Sequence, residues 1–147
     1  MSATGWIEQA ELALAAAGRK RGGARRAVLE LLASESCALT AIEIEDALRG
    51  DPARSVSRAS IYRILDELER LRLVQRVDIG RSMVRYERAS AREEHHHHLV
   101  CDECGSVTPF SDPGLERAIT SVSERVPLAV SEHEIVLHGA CRDCREE

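Results

Sequence analysis

Residues 57–88 read SRASIYRILDELERLRLVQRVDIGRSMVRYER, and a change of period inside this stretch decides the fold of the first half of the chain. Ile61, Leu65, Leu68 and Leu71 recur every three or four residues, one apolar stripe along a helix with Ser57 as its N-cap. Arg58, Ser60, Tyr62 and Arg63 fall early in that helix and largely off the stripe. From Leu73 the period becomes two. LVQRVDI and MVRYE flank Gly80, Arg81 and Ser82, the pattern of a β-hairpin.

Working toward the N-terminus, Thr40 and Glu43 form a capping-box pair before Ile44, Ala47 and Leu48, a helix that ends near Gly50. Val28, Leu29, Leu31 and Leu32 place another helix over 27–33, and Trp6 to Ala17 a first one stopped by Gly18. Between them lies the basic cluster Arg19, Lys20, Arg21, Arg25 and Arg26, which reads either as a phosphate-binding patch or as a solvated linker. Three helices followed by a hairpin is the order of a winged helix-turn-helix. In that arrangement the helix over 57–71 enters the DNA major groove by its N-terminal end, with the wing beside the backbone. The competing reading is a small α+β core in which Tyr62 and Arg63 only cover surface.

The second half carries different chemistry. Residues 95–105 read HHHHLVCDECG, and Cys141 and Cys144 form a second Cys-x-x-Cys pair near the end of the sequence. Four thiolates in two such pairs suit a tetrahedral structural zinc site. The rival reading is disulfides. With no signal-type segment at the start and a fifth, isolated Cys37, metal is the better reading. The four histidines are internal and run into Leu99 and Val100, unlike a terminal tag. On an extended strand His95 and His97 point one way and His96 and His98 the other, offering two further metal positions. Residues 89–94 read as a hinge. Beyond it, strands over 99–110, a helix opened by Pro113 and Gly114 and a strand over 129–138 make a small αβ domain.

The 147 residues carry a net charge of -5, which taken whole disfavours nucleic acid. The halves differ: residues 1–88 hold 15 basic against 13 acidic side chains, residues 89–147 hold 5 against 12. The first half therefore tolerates DNA, and the second attracts cations. Only Trp6, Tyr62, Tyr86 and Phe110 are aromatic, so the core is aliphatic. No apolar run approaches the roughly 20 residues of a membrane span, and a cytoplasmic protein is expected.

HHHHLVCDECGSVTPF, followed at a distance by SEHEIVLHGACRDC, resembles the ferric uptake regulator superfamily, and RASIYRILDELERLRLV resembles its recognition helix. The resemblance covers nearly the whole chain, in order. It implies an α+β protein with an N-terminal winged helix-turn-helix domain over 1–88, a hinge over 89–94 and a C-terminal αβ dimerisation domain over 95–147. It implies Cys101, Cys104, Cys141 and Cys144 as structural Zn2+ ligands and His95, His97, Glu116 and His133 as a dimerisation-domain metal site. For the regulatory hinge site it implies Glu87, His96 and His98; the fourth position, usually a histidine, is Ala38 here. Neighbouring Cys37 is either a substitute thiolate, which favours zinc over ferrous iron, or a small buried hydrophobe. The carboxylate of the peroxide-sensing branch is replaced by Pro109. For DNA it implies contacts from Tyr62, Arg63, Arg58 and Ser60 in the groove, and from Arg19, Arg26 and Arg81 to the flanking backbone.

The function so implied is a homodimeric, metal-dependent repressor of metal-uptake genes that binds a palindromic operator when Fe2+ or Zn2+ occupies the regulatory site, Mn2+ and Ni2+ being further candidates. It is not an enzyme. A zinc hydrolase would require an open site with a general base on a helix, which His133 and Glu134 do not form, and would leave the winged helix without a role. A metal-storing chaperone would bind metal without operator affinity.

Overall fold

The computed structural model describes residues 2–80, 83–89 and 95–145. The chain divides into two compact units, Met1–Ser90 and Ala91–Glu147.

The first unit runs α1 (Ala3–Ala16), α2 (Gly23–Ser34), β1 (Leu39–Thr40), α3 (Ala41–Arg49), α4 (Arg58–Arg70), β2 (Val74–Asp78) and β3 (Val84–Arg88). The three strands form one antiparallel sheet in the order β1-β3-β2. This is a winged helix with an added leading helix. The expected caps are formed: Thr40 Oγ1 accepts from Glu43 N–H at 3.1 Å while the Glu43 carboxylate accepts from Thr40 N–H at 2.7 Å, and Ser57 caps α4 through Ser60 N–H. Trp6, Ala10, Leu29, Leu32, Ile44, Ile61, Leu65, Leu68 and Val74 form one apolar core in which the α4 stripe is central. Ile64 is buried as well, which widens that stripe, and Leu71 is only half-buried. Arg72, at φ 56°, turns the chain from α4 into β2, its N–H donating to Glu69 O at 2.9 Å.

Helix α2 begins at Gly23, four residues before the apolar periodicity starts. Its first turn is polar, and ion pairs stabilise it where apolar spacing gives no signal: Arg25 meets Glu67, and Arg26 meets Glu11 and Glu30.

The second unit runs β4 (His97–Cys101), β5 (Val107–Phe110), α5 (Pro113–Ser123) and β6 (Val136–Gly139), with sheet order β5-β4-β6. β4 pairs antiparallel with β5 and parallel with β6, His98 opposite Val136. Gly105, at φ +76°, makes the tight turn after the first Cys-x-x-Cys. Asp112 caps α5 by accepting from Leu115 N–H at 2.8 Å, with Pro113 in its first turn. The strand expected over 129–138 forms only at Val136–Gly139. Val136–Gly139 pair along β4 from His98 to Cys101, one residue past the expected end, whereas residues 129–135 have no ladder with β4, so their alternating sequence is not enough to make a strand. His133 therefore stands on an irregular segment.

Candidate metal centres and nucleic-acid face

Cys101 ends β4, Cys104 follows in the turn, and Cys141 and Cys144 follow β6, the neighbour of β4; the four Sγ atoms lie within 4.8 Å of one another. A tetrahedral zinc with bonds of about 2.3 Å requires sulfurs about 3.8 Å apart. Cys104 and Cys141 sulfurs stand 3.9 Å apart. The amides of Cys104 and Cys141 donate to the Cys101 sulfur at 3.5 and 3.3 Å. They stabilise its thiolate and bring that thiol down to about 6. Bonding from Ser106 lowers the Cys104 thiol, whereas Cys144, hydrogen-bonded to the Cys141 and Cys104 sulfurs, is pushed up to about 12. The four groups share protons that a cation displaces, so zinc binding here releases protons.

The histidine run divides by side of the strand. His95 and His97 turn to one face, with their Nε2 atoms 3.3 Å apart. Tetrahedral Zn–N bonds of about 2.05 Å require nitrogens about 3.3 Å apart. Glu116, in the first turn of α5, completes the cluster: its carboxylate is 2.7 Å from His97 Nε2, 3.3 Å from His95 Nε2 and 3.0 Å from His133 Nε2. The His97 hydrogen bond, reinforced by the charges of His95 and His133, lowers the Glu116 pKa. His97 is 1 % exposed and its ring is fixed by the Ile135 N–H, which donates to Nδ1 at 3.3 Å. Three imidazoles and one carboxylate thus converge, a donor set that suits a tetrahedral divalent ion.

His96 and His98 turn to the opposite face, their rings 5.0 Å apart and edge to face. His98 is buried, with Glu134 3.8 Å from its Nδ1. In the first unit Glu87 is buried on β3 and accepts a hydrogen bond from Gln75 at 2.6 Å, while Cys37 precedes β1 on the neighbouring segment. A Glu87 carboxylate oxygen and the Cys37 sulfur lie within 4.8 Å of each other. Each unit therefore presents a pair of possible ligand atoms, and Cys37 is half-buried. Ala38, which stands at the position where the resemblance implies a histidine ligand, is packed in the interior.

On the first unit, Tyr62 is 44 % exposed near the N-terminal end of α4. Arg63 donates to Ser60 Oγ at 3.0 Å. Most arginines assigned to DNA have intramolecular carboxylate partners: Arg58 meets Glu45 at 2.6 Å, Arg19 meets Glu67 at 2.9 Å, and Arg26 meets Glu30 at 2.6 Å and Glu11 at 2.8 Å. These hydrogen bonds lower the Glu45 and Glu30 pKa values and raise that of Arg58. Arg81 lies outside the described residues. Sequence reading did not find two further pairs: buried Arg85 with Glu43, and His138 with Asp102 at 3.0 Å beside the cysteine cluster. Partners 42 and 36 residues apart leave no local spacing signal.

Compared with known proteins, residues 16–138 match the Ferric uptake regulator family. The ferric uptake regulation protein of Helicobacter pylori is 28% identical over 140 residues, 95% of this chain and 91% of that one. The ferric uptake regulation protein of Neisseria meningitidis serogroup A is 30% identical over 130 residues, 87% of this chain and 88% of that one. Among solved structures, the H. pylori ferric uptake regulator Fur, with its three functional metal binding sites, superposes at a TM-score of 0.86 with 26% identity, over 100% of this chain and 96% of that one.

Proposed function

This chain belongs to the ferric uptake regulator family, whose members are metal-responsive transcription regulators and not enzymes, and from that premise we propose a zinc-responsive repressor that binds a palindromic operator as a homodimer. The observation that carries the reading is the division of ligands. Cys37 and Glu87 are paired in the winged-helix unit, and His96, just before β4, is paired with His98 on β4 of the other. An ion that takes both pairs raises DNA affinity by its differential affinity for the DNA-competent conformation, and by no more.

The donor set selects the ion. One thiolate, one carboxylate and two imidazoles suit Zn2+ better than Fe2+, Mn2+ or Ni2+. Cys101, Cys104, Cys141 and Cys144 hold a structural Zn2+, and His95, His97, Glu116 and His133 a third ion. Three sites are also what the H. pylori regulator has. Support for the dimer comes from the second unit, where Val122, Val126, Leu128, Val130 and Leu137 are exposed and α5 buries none of its residues. Support for the DNA face comes from exposed Tyr62 with Arg58, Ser60 and Arg63 at the start of α4, and from Arg19 and Arg26 outside it; Arg81 in the wing is assigned a backbone contact. No helix among the described residues is long and apolar enough to cross a membrane, in keeping with a cytoplasmic regulator.

The test is selection of genomic fragments by the purified protein with Zn2+ or with chelator, followed by anisotropy titration of the selected duplex. Recovery of one palindromic motif with Zn2+ only is the expected result. Metal uptake with no enriched motif would favour a metal store instead.

A further inference from the structure

Arg85 belongs to none of the candidate metal groups, and its burial is unusual for a charged side chain. It lies on β3 two residues from Glu87, so both side chains leave the same face of the strand. It is 7 % exposed, and a buried guanidinium requires specific acceptors. Its Nη1 donates to Ala38 O at 3.2 Å and to Glu43 Oε2 at 2.9 Å. That same Glu43 oxygen accepts from Thr40 N–H, closing the cap of α3. One guanidinium therefore joins the carbonyl next to Cys37, the strand that carries Glu87 and the first turn of α3. The register agrees, with Thr40 opposite Arg85 and Leu39 opposite Tyr86.

We propose that Arg85 is a positioning residue for the Cys37–Glu87 ligand pair, holding the segment that carries the thiol against β3 and linking its placement to the start of α3. The inference rests on Cys37 being a regulatory ligand, as proposed above. The physical reason is preorganisation. Cys37 precedes a strand of only two residues, Leu39–Thr40, which by itself fixes the segment weakly. The two hydrogens of the one Nη1 serve the two acceptors at once, at a reach that a shorter side chain does not keep. Partners that orient metal ligands typically matter by about 10–100-fold in metal affinity.

The test uses cobalt(II) on the full chain with zinc in the four-cysteine site. Zinc is spectroscopically silent, and Cys37 is the one cysteine outside that site, so a near-ultraviolet thiolate-to-cobalt charge-transfer band reports Cys37 alone. The wild type is expected to show this band and C37S to lack it. R85Q is expected to bind this cobalt about 10–100-fold more weakly, with the band reduced, and R85K to fall between them. Zinc content and dimer mass are expected to stay unchanged. Wild-type affinity and band in R85Q overturn the inference while leaving Cys37 as ligand. If R85Q does not fold, R85K decides, and wild-type affinity there overturns it. A wild type without a C37S-sensitive band overturns the ligand assignment and this inference together.

Discussion

Replacing Glu45 by Gln isolates what the surface ion pairs do to DNA binding. Glu45 on α3 accepts from Arg58 Nε at 2.6 Å and from Arg49 at 3.1 Å, so the first arginine of α4 is tied to its own protein. To meet a phosphate, Arg58 must leave that carboxylate or bring its negative charge toward the DNA. Glutamine keeps the size and removes the charge. One additional phosphate contact steepens the dependence of log K on log salt by about 0.9. Affinity for non-specific duplex then gains a factor of about eight for each tenfold fall in salt. Arg58 is solvent-exposed and Glu45 half-buried outside the apolar core, and glutamine keeps the volume, so the fold is expected to survive the change. The assay is fluorescence anisotropy of a labelled duplex lacking the operator, titrated at four or more salt concentrations with Zn2+ present. A slope and affinity equal to wild type would refute the reasoning, because Arg58 would then either stay on Glu45 in the complex or lie off the DNA face. A steeper slope in Glu45→Gln would identify Glu45 as a brake on non-specific binding.

Three other outcomes follow from the structure. Leu65 is fully buried at the centre of the winged-helix core, so Leu65→Ala is expected to cost about 2–5 kcal/mol, read by urea unfolding of that unit. Leu128 and Val130 are exposed on the second unit, and charging them together as Leu128→Glu with Val130→Glu is expected to give monomers by sedimentation while the structural zinc is retained. In chelated protein near pH 7, Cys104, exposed and with a lowered thiol pKa, is expected to alkylate well before Cys144, whose thiol is pushed up to about 12, with order read by mass spectrometry.

Legibility from sequence followed the range of the signals. The α4 stripe, the Thr40–Glu43 box and the hairpin are local patterns of a few residues, and all three form, the stripe gaining Ile64 and fading at half-buried Leu71. Alternation through the four histidines, of which His97 and His98 begin β4, put His95 with His97 and His96 with His98 for the same reason. Elements set by partners distant in sequence were not legible. The polar first turn of α2 is held by Glu67, 42 residues from Arg25, and the strand over 129–138 shortened to Val136–Gly139 because β4 pairs only that stretch. Cys37 shows the same limit: its own sequence context does not reveal that Glu87 lies beside it.

The central claim is that metal and DNA binding are linked through ligands carried by both units. Linkage is reciprocal, so whatever factor Zn2+ adds to operator affinity, the operator must add to Zn2+ affinity at Cys37, Glu87, His96 and His98. The decisive measurement is competition of the regulatory Zn2+ against a chromophoric chelator, free and with saturating operator, in the wild type and in His96→Ala with His98→Ala. The account predicts zinc affinity raised by operator in the wild type by the same factor that zinc raises DNA affinity, and no such zinc in the double variant. Equal zinc affinity with and without operator would contradict it.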